Sequence, residues 1–411
     1  MKGIMLKKFK FPGNSFGLSG RPLFFFLFLW LIALVIFLGW FFAEIPFISP
    51  LSESSTFRFL KGTQSSEGKV VYGFLPYWNL NKVEPQPELT HLSYFGLTLG
   101  AGGELLTRTS EGGEPGYYKL DSDELASISA TLKKNNQKLE LTLIQFNADD
   151  IYNFINSTSA QKQFYTGLES VLLAYPFSGI NIDIEYNGAV DDKLRKNFVQ
   201  FIADLKEQLS EKYSHINLSV SVYASAAEGN SIWDIEGIGQ YADYVVVMAY
   251  DFHRRSSVKA GPVAPLFGGK DLWDGDISNY LESFLAVMPK EKILLGVPFY
   301  GYEWQTTSRD PRAHTFPDTG ATASYARVQT LLEPETKDKL RVEEGWNDDA
   351  LSPYVSYIED GEIFVVYYEN SRSLSYKLDL VNQLDLGGIA IWALGYEGDS
   401  RELWETIGRK L

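Results

Sequence analysis

From Lys69 onward, short apolar runs alternate with helical patterns, and this alternation constrains the fold more than any other feature of the chain. Apolar runs of five to nine residues, bounded by polar segments, are typical of buried strands. Eight such runs occur: Val70–Pro76, His91–Leu99, Lys138–Phe146, Gly179–Glu185, Ile216–Tyr223, Tyr244–Tyr250, Ile293–Pro298 and Gly387–Ala393. The clearest helical pattern is Asp191–Tyr213, where apolar residues recur every three or four positions. Weaker ones are Asp121–Asn136, Ala160–Ala174 and Ile277–Met288.

Strands that alternate with helices form parallel βαβ units, so eight of them predict an α/β fold, the closed (β/α)8 TIM barrel. A doubly wound open sheet is the alternative, because a strand count made from one sequence is easily wrong by one or two. About ninety residues separate the last two strands, too many for one helical connection. Within them, Tyr354–Ile358 and Ile363–Tyr368 flank Glu359-Asp360-Gly361, which predicts a β-hairpin. We therefore expect a small α+β insertion over about residues 302–370.

The segment before the barrel predicts a membrane anchor. Pro22–Phe42 is an uncharged apolar run of about the length that crosses a bilayer as a helix. Residues 1–21 contain basic but no acidic side chains, so the positive-inside rule places them in the cytoplasm and the rest of the chain outside it. A cleavable signal peptide and a buried core helix are the competing interpretations. We expect a cytoplasmic tail over 1–21, a transmembrane signal-anchor over 22–43, a Ser-rich linker over 44–68 and the barrel over 69–411.

Composition excludes several classes of partner and site. The formal net charge is −15, and the basic tail leaves the remainder of the chain still more acidic. Such a surface repels phosphate backbones, which argues against a nucleic-acid partner. The chain has no cysteine, so it forms neither disulfides nor thiolate metal sites. Its four histidines are scattered without the spacing of metal ligands.

The chemistry is expected at the fourth predicted strand, Gly179–Glu185. Side chains alternate faces along a strand, so Asn181, Asp183 and Glu185 share one face. A barrel strand is normally apolar on both faces, and polar residues there are costly unless they are hydrogen-bonded or functional. Two carboxyls so close together raise the pKa of at least one, as a general acid at neutral pH requires. An isolated Asp-x-Glu triplet is more often solvated surface, but its place at the carboxyl end of a buried strand favours catalysis.

Four segments of the chain resemble motifs of one known enzyme family, and they occur in the same order. Ser178–Glu185 (SGINIDIE) resembles the signature D-G-x-D-x-D-x-E of glycoside hydrolase family 18, which contains chitinases and endo-N-acetylglucosaminidases. Met248–Asp251 (MAYD) resembles the family's M-x-Y-D at the end of strand six. Gly296–Tyr302 (GVPFYGY) is similar to its strand-seven segment, and Trp392 to the tryptophan of strand eight under the bound sugar. The resemblance covers about residues 69–411.

The departures from the family pattern also carry information. Ser178 and Asn181 replace two aspartates of the signature, and Leu141–Asn147 (LTLIQFN) stands where the family has S-x-G-G. Asn181, together with Gly261–Pro265 (GPVAP), is similar to the branch that acts on bacterial peptidoglycan, including spore-cortex hydrolases. Because Asn181 cannot exchange a proton with Asp183, we expect a shifted pH optimum.

The resemblance implies substrate-assisted catalysis, in which the substrate's acetamide oxygen attacks the anomeric carbon with net retention. Glu185 would protonate the glycosidic oxygen, Asp183 would orient the acetamide, and Tyr250 would donate a hydrogen bond to it. The further residues implied to bind substrate are Asn181, Met248, Asp251 and Trp392. No metal or cofactor is implied. The expected substrate is an amino-sugar polysaccharide, peptidoglycan rather than chitin.

Two other functions remain open from the sequence. A membrane-tethered lectin could keep this fold without catalysis, which the altered Ser178 and Asn181 would allow. An anchoring or interaction protein could use the acidic surface alone. Further aromatic residues could line a glycan cleft, although most tryptophans serve packing: they are Tyr77, Trp78, Trp233, Trp304 and Trp346.

Overall fold

The computed structural model describes residues 68–213, 215–229 and 231–411. The predicted cytoplasmic tail, the signal-anchor helix and nearly all of the linker lie outside these residues. Within the described ranges, no helix combines the length and the hydrophobicity needed to cross a membrane.

Fifteen strands are described, and eight of them close into a parallel barrel. In chain order the strands are β1 (Val70–Pro76), β2 (His91–Thr98), β3 (Arg108–Thr109), β4 (Gly112–Gly113), β5 (Lys138–Gln145), β6 (Gly179–Ile184), β7 (Asn217–Tyr223), β8 (Tyr244–Met248), β9 (Ile293–Pro298), β10 (Tyr300–Thr306), β11 (Ala321–Ser324), β12 (Glu343–Asn347), β13 (Ser352–Glu359), β14 (Glu362–Tyr367) and β15 (Gly388–Trp392).

The barrel order is β1-β2-β5-β6-β7-β8-β9-β15, and β15 pairs in parallel with β1 to close it. All eight predicted strands are present, so the (β/α)8 barrel is confirmed and the open sheet was the wrong alternative. Several predicted strands run one or two residues too far at the carboxyl end. Glu185 and Tyr250 therefore lie just beyond β6 and β8, where the backbone leaves the barrel ladder and the loops begin.

Most of the helices pack around the barrel, whereas two lie in the insertion before its last strand. They are α1 (Pro115–Lys119), α2 (Asp123–Lys134), α3 (Ala148–Ile155), α4 (Thr158–Ala174), α5 (Asp192–Lys212), α6 (Ile235–Tyr241), α7 (Ile277–Leu285), α8 (Tyr325–Leu332), α9 (Pro334–Leu340), α10 (Ser371–Leu384) and α11 (Glu402–Lys410). In α5, Asp191 caps the helix by accepting from the amide of Leu194. The apolar stripe of α5 is buried at Leu194, Phe198 and their successors, as the sequence periodicity predicts.

Between β9 and β15 the chain forms a separate antiparallel sheet with the order β11-β10-β14-β13-β12. Its hairpin β13–β14 turns through Asp360 and Gly361, both with positive φ (51° and 88°), as a tight two-residue hairpin turn requires. One side of the sheet packs on α8 and α9 through a buried cluster that includes Val328, Leu331 and Val355. The sheet begins at Tyr300, two residues before the predicted insertion.

The inside of the barrel has an apolar side and a polar side. Tyr72, Phe74, Phe95, Val246, Leu294 and Ala390 form one buried cluster, contributed by β1, β2, β8, β9 and β15. On β6 and β7, and at Ser93 of β2 and Thr142 of β5, buried polar residues take their place. Ser93 and Thr142 share a hydrogen bond of 2.7 Å there. Asp183 lies at the upper end of this polar side. The residues below the acidic side chains are therefore able to form hydrogen bonds, whereas aliphatic residues would not be.

A second polar cluster lies at the amino-terminal ends of the strands. The buried carboxyl of Glu140 accepts hydrogen bonds from the Tyr72 hydroxyl (2.9 Å) and the Asn217 amide (3.0 Å). Burial raises the pKa of Glu140 to about 7. His91 Nε2 lies 3.8 Å from this carboxyl, but burial lowers the pKa of His91 to about 3, so the imidazole is neutral and the contact is not an ion pair near neutral pH. This cluster fills the floor of the barrel.

Candidate active site

A cavity of about 300 Å³ opens at the carboxyl ends of the barrel strands, where barrel enzymes hold their active sites. Acidic, tyrosine and apolar aromatic side chains make up most of its wall. The lining residues are Phe74, Trp78, Phe95, Phe146, Asp183, Glu185, Ser221, Tyr223, Met248, Tyr250, Asp251, Arg254, Tyr300 and Trp392. Six of the seven sequence-predicted site residues are among them, and Asn181 is not.

Asp183 and Glu185 project into the cavity from β6 and its end. Ile182 and Ile184, on either side of Asp183 in the sequence, are buried on the opposite face, so the strand pattern fixes the direction of both carboxyls. Asp183 is only 4% exposed, and its Oδ1 is buried without a hydrogen-bond partner in the described part of the chain. A buried acceptor is costly without a donor, so Oδ1 is suited to accept a hydrogen bond from a group that enters the cavity.

Both carboxyls have raised pKa values. Burial raises the pKa of Asp183 well above its ordinary value, and the charge of Glu185 raises it further. Burial also raises the pKa of Glu185, and the charge of Asp251 adds to the rise. The Tyr223 hydroxyl opposes it by donating a 2.6 Å hydrogen bond to Glu185 Oε2, and the positive charge of Arg254 opposes it as well. The pair therefore holds a proton at a pH where exposed carboxyls are ionised.

Tyr250 lies just beyond the end of β8, two strands along the barrel from β6. Burial and the neighbouring carboxylates of Asp183 and Asp251 raise the pKa of Tyr250 well above its ordinary value, so its hydroxyl stays a donor. Gly296 on β9 makes room for the ring, because a Cβ there would lie 3.0 Å from Tyr250 Cε1 and 2.5 Å from the Val247 carbonyl oxygen. Met248, two residues earlier on β8, lines the cavity beside it.

Asp251 is oriented by the first strand of the inserted sheet. Its φ of 62° is left-handed, a conformation that Asp tolerates better than most residues. Tyr300 and Tyr302 on β10 both donate hydrogen bonds to its Oδ1, the second at 2.9 Å. The inserted sheet therefore supplies part of the site and is not only a decoration of the barrel.

Trp392 ends β15 and forms an aromatic wall with its neighbours. Its ring meets Phe95 edge-on with the centroids 4.6 Å apart, and Phe74 lies 5.8 Å away. Trp78 packs edge-on against Phe95 and is 44% exposed. Flat apolar faces of this kind suit the apolar faces of sugar rings. The wall stands opposite the hydrogen-bonding groups.

Asn181 is fully buried beneath the cavity rather than on its wall. Its amide nitrogen donates to Ser219 Oγ (2.9 Å), and its oxygen accepts from Ser221 Oγ (3.1 Å). The structure thus gives Asn181 a supporting position, one layer below Asp183, and not the expected substrate contact. Ser178, the other departure from the signature, is half-buried and donates its hydroxyl to the Leu139 carbonyl oxygen (3.1 Å).

Sequence reasoning missed several residues of the cavity. Tyr223 carried a usable signal, because alternation along the fifth barrel strand places it on the same face as Ser219 and Ser221. Arg254 lies in a loop without any periodic signal, and Phe146, the last residue of a predicted strand, lies in the loop just beyond β5. Trp78 lines the cavity as the sequence suggested, whereas Trp233 and Trp304 are buried in the packing. Trp346 lies under the Arg372 guanidinium, 3.7 Å from the ring centroid, and outside the cavity lining.

A parallel (β/α)8 barrel with a coupled Asp–Glu pair and an aromatic wall at the carboxyl ends of its strands defines the class of a barrel glycoside hydrolase. The model of the glycosyl hydrolases family 18 matches residues 69–397, and the chain belongs to this family.

Two curated relatives illustrate the family context. The chain is 28% identical over 293 residues to the uncharacterized glycosylase YvbX of Bacillus subtilis (strain 168), which covers 67% of this chain and 75% of that protein. It is 26% identical over 318 residues to a cortical fragment-lytic enzyme of Bacillus anthracis, covering 75% of this chain and 65% of that enzyme. The match thus spans less than two thirds of the second relative.

Solved structures share the fold. A Group IV chitinase of Ostrinia furnacalis superposes with a TM-score of 0.72 at 20% identity, covering 84% of this chain and 100% of that one. The spore cortex-lytic enzyme SleL of Bacillus cereus superposes with a TM-score of 0.66 at 20% identity, covering 85% and 75%. At this level of identity the likeness concerns the fold alone.

Proposed function

We propose that this protein is a retaining hydrolase that cleaves β-linked N-acetylglucosamine glycans by substrate-assisted catalysis, and that its substrate is peptidoglycan rather than chitin. The observation that carries the mechanism is the buried, unpartnered Oδ1 of Asp183 beside the hydrogen-bonded carboxyl of Glu185. An acetamide N–H is a donor of the right kind for that oxygen, and N-acetylated sugars bring one to the site.

In this mechanism Glu185 donates its proton to the glycosidic oxygen as the bond to the anomeric carbon breaks. The acetamide oxygen of the same sugar attacks that carbon and forms an oxazolinium ion. Asp183 accepts from the acetamide N–H and stabilises the developing positive charge. Tyr250 donates to the acetamide oxygen and orients it for attack. Glu185 then takes a proton from the water that opens the ring, which restores the enzyme with net retention.

The remaining cavity residues would hold the sugar. Trp392 offers its ring face to the sugar in the cleaved position, and Met248 borders the same space. Asp251, held by Tyr300 and Tyr302, would accept from a sugar hydroxyl. Asn181 would support Asp183 from below through its contacts with the two serines.

Sequence relatives support the choice of peptidoglycan. A cortical fragment-lytic enzyme is among the curated matches, and the Asn181 and GPVAP segments are similar to the peptidoglycan-acting branch. Chitinases share the fold, and one from Cycas revoluta has been solved with bound (GlcNAc)3. The chitin alternative is therefore included in the test.

The test is mass analysis of products from N-acetylated peptidoglycan and from chitin oligosaccharides, side by side. We expect new reducing ends on N-acetylglucosamine, formed first as the β-anomer, and a loss of at least about 10²-fold in kcat for Glu185→Gln. De-N-acetylated oligosaccharides are the matched control, because a sugar without the acetamide cannot attack its own anomeric carbon. Cleavage that persists in Glu185→Gln would exclude Glu185 as the acid. Wild-type protein that binds these glycans without releasing reducing ends would establish the lectin alternative instead.

We also propose that the protein is held in a membrane by residues 22–43, with its barrel on the extracytoplasmic side. The support is the uncharged apolar run and the basic segment before it. Fractionation of cells that produce the full chain should recover the activity with the membranes. Active soluble protein lacking residues 1–43 would refute the anchor.

A further inference from the structure

Among the described residues that line the cavity, Arg254 is the only one with a positively charged side chain. It follows Asp251 by three residues in the loop after β8, and its side chain is exposed. The other charged lining residues are the three acids Asp183, Glu185 and Asp251. A neutral sugar chain gains little from an arginine in this position, whereas an anionic one would meet repulsion without it.

The position of Arg254 is fixed by its backbone and by one atom of its guanidinium. Its amide donates to Ser257 Oγ (2.9 Å), and its carbonyl oxygen accepts from Trp304 Nε1 (3.1 Å). Its Nε donates to the Asp251 carbonyl oxygen (3.0 Å). Within the described ranges, Nη1 and Nη2 make no hydrogen bond, and no carboxylate lies within salt-bridge distance of either. Two parallel donor groups therefore remain for a ligand.

Such a planar pair of donors matches a carboxylate, which it binds in a bidentate manner. Chitin has no carboxylate. In peptidoglycan, N-acetylglucosamine alternates with N-acetylmuramic acid, which carries a lactyl group that ends in a carboxylate or in a peptide with carboxylates of its own. A muramic acid unit is therefore the direct neighbour of each N-acetylglucosamine at which the chain is cut.

We propose that Arg254 binds a carboxylate of the muramic acid unit next to the cleaved bond and so selects anionic amino-sugar glycans over neutral ones. This inference rests on the proposed hydrolysis after N-acetylglucosamine and adds the group that recognises the substrate. The carboxylate is either that of the lactyl group or one of its peptide, and the substrates of the test separate these sources.

The positive charge of Arg254 also acts electrostatically on Glu185 and Tyr223. In both residues it favours the ionised form and so opposes the rise in pKa that burial causes. A field effect alone would change the pH profile equally for every substrate. Carboxylate binding predicts instead an effect on KM that appears only with substrates that carry the carboxylate. Rates are therefore compared at the pH optimum of each variant.

The experiment measures kcat and KM of the full chain and of Arg254→Gln on four substrates. They are a chitin tetrasaccharide, an alternating N-acetylglucosamine–N-acetylmuramic acid tetrasaccharide with free lactyl carboxylates, the same compound with those carboxyls converted to amides, and the peptide-bearing form. The matched control is Arg255→Gln, because Arg255 is the adjacent exposed arginine, outside the cavity lining, with its Nε donating to the Gly320 carbonyl oxygen (3.0 Å).

We expect Arg254→Gln to lower kcat/KM about tenfold or more on a carboxylate substrate, mainly through KM, and less than about twofold on the chitin and amide substrates. Arg255→Gln should change none of the four. A loss confined to the peptide-bearing substrate identifies the peptide carboxylate as the bound group. Equal losses on all four substrates, or no loss, would overturn the inference.

A failure of the proposed function is distinguishable from a failure of this inference, because the wild-type chain would then cleave none of the four substrates. In that case the affinities of Glu185→Gln and of Glu185→Gln/Arg254→Gln for the same tetrasaccharides decide the role of Arg254. Tighter binding of the carboxylate compound that depends on Arg254 supports the inference. The same affinity for the carboxylate and amide compounds contradicts it.

Discussion

Glu185 has a pKa set by several neighbours that act in opposite directions. Burial and Asp251 raise its pKa, whereas the hydroxyl of Tyr223 and the charge of Arg254 lower it. The sequence revealed the acid and its partner Asp183, because strand alternation puts both on one face. It did not reveal Tyr223 or Arg254 as neighbours, because they come from a different strand and from a loop. The strength of the acid is therefore decided between elements.

Tyr223→Phe tests this balance at the level of one hydrogen bond. The hydroxyl stabilises the ionised form of Glu185, so its removal should raise the pKa of that carboxyl. Activity that needs protonated Glu185 is lost as the pH rises through this pKa. The alkaline limb of the kcat/KM profile should therefore move to higher pH, while kcat/KM at the optimum changes by less than about tenfold. An alkaline limb that stays in place or moves to lower pH would contradict the assignment of Glu185.

At the scale of the element, β10 connects the inserted sheet with the chemistry of the barrel. The length of the interval and the hairpin signal at Asp360-Gly361 indicated an insertion. They gave no hint that its first strand holds Asp251 through Tyr300 and Tyr302. That contact depends on β10 following β9 almost directly, so that its tyrosines lie beside the end of β8.

Tyr302→Phe should therefore impair the enzyme although the residue lies outside the barrel. Loss of the 2.9 Å hydrogen bond removes about 1 kcal/mol of the interaction energy that orients Asp251. We therefore expect kcat/KM to fall about threefold to tenfold. The matched control is Tyr354→Phe in the same sheet, where the ring packs on Tyr367. Steady-state kinetics and the melting temperature of both variants provide the measurement. Equal activity losses in the two variants would show a general effect on the sheet instead.

At the scale of the whole molecule, the closed barrel holds acidic side chains at both ends of its interior. Asp183 and Glu185 lie at the open end, and Glu140 lies on the floor with Tyr72, His91 and Asn217. The floor residues come from β1, β2, β5 and β7. Only the closure of the barrel brings them together.

Glu140 should make the stability of the protein depend on pH. Its pKa is about 7 in the folded protein, against 4.5 for an ordinary glutamate. The unfolded chain releases this proton first, so the free energy of unfolding should fall as the pH rises from about 4.5 to 7, by about 3 kcal/mol in total. Below that range the contribution of the protonated carboxyl is fully present.

The measurement is the melting temperature of the full chain between pH 4.5 and 8, compared with that of Glu140→Gln. A neutral amide should remove this part of the decline, so the difference between the two proteins should change across the range. Glu111→Gln, at an exposed position, is the control and should follow the wild type. A constant difference between wild type and Glu140→Gln would show that the carboxyl does not titrate in this range.

The sequence by itself determined the eight barrel strands, the insertion and the face that carries Asp183 and Glu185. These follow from local periodicity, since a repeat of two or of 3.6 residues and the turn residues at its ends are written in neighbouring positions. The tertiary structure decided which residues meet: Tyr223 with Glu185, Tyr302 with Asp251, and Asn181 with its serines below the cavity. Burial and electrostatic coupling depend on distances between strands and loops remote in the chain. The pKa values of the acids and the free donors of Arg254 were therefore decided only when the barrel closed.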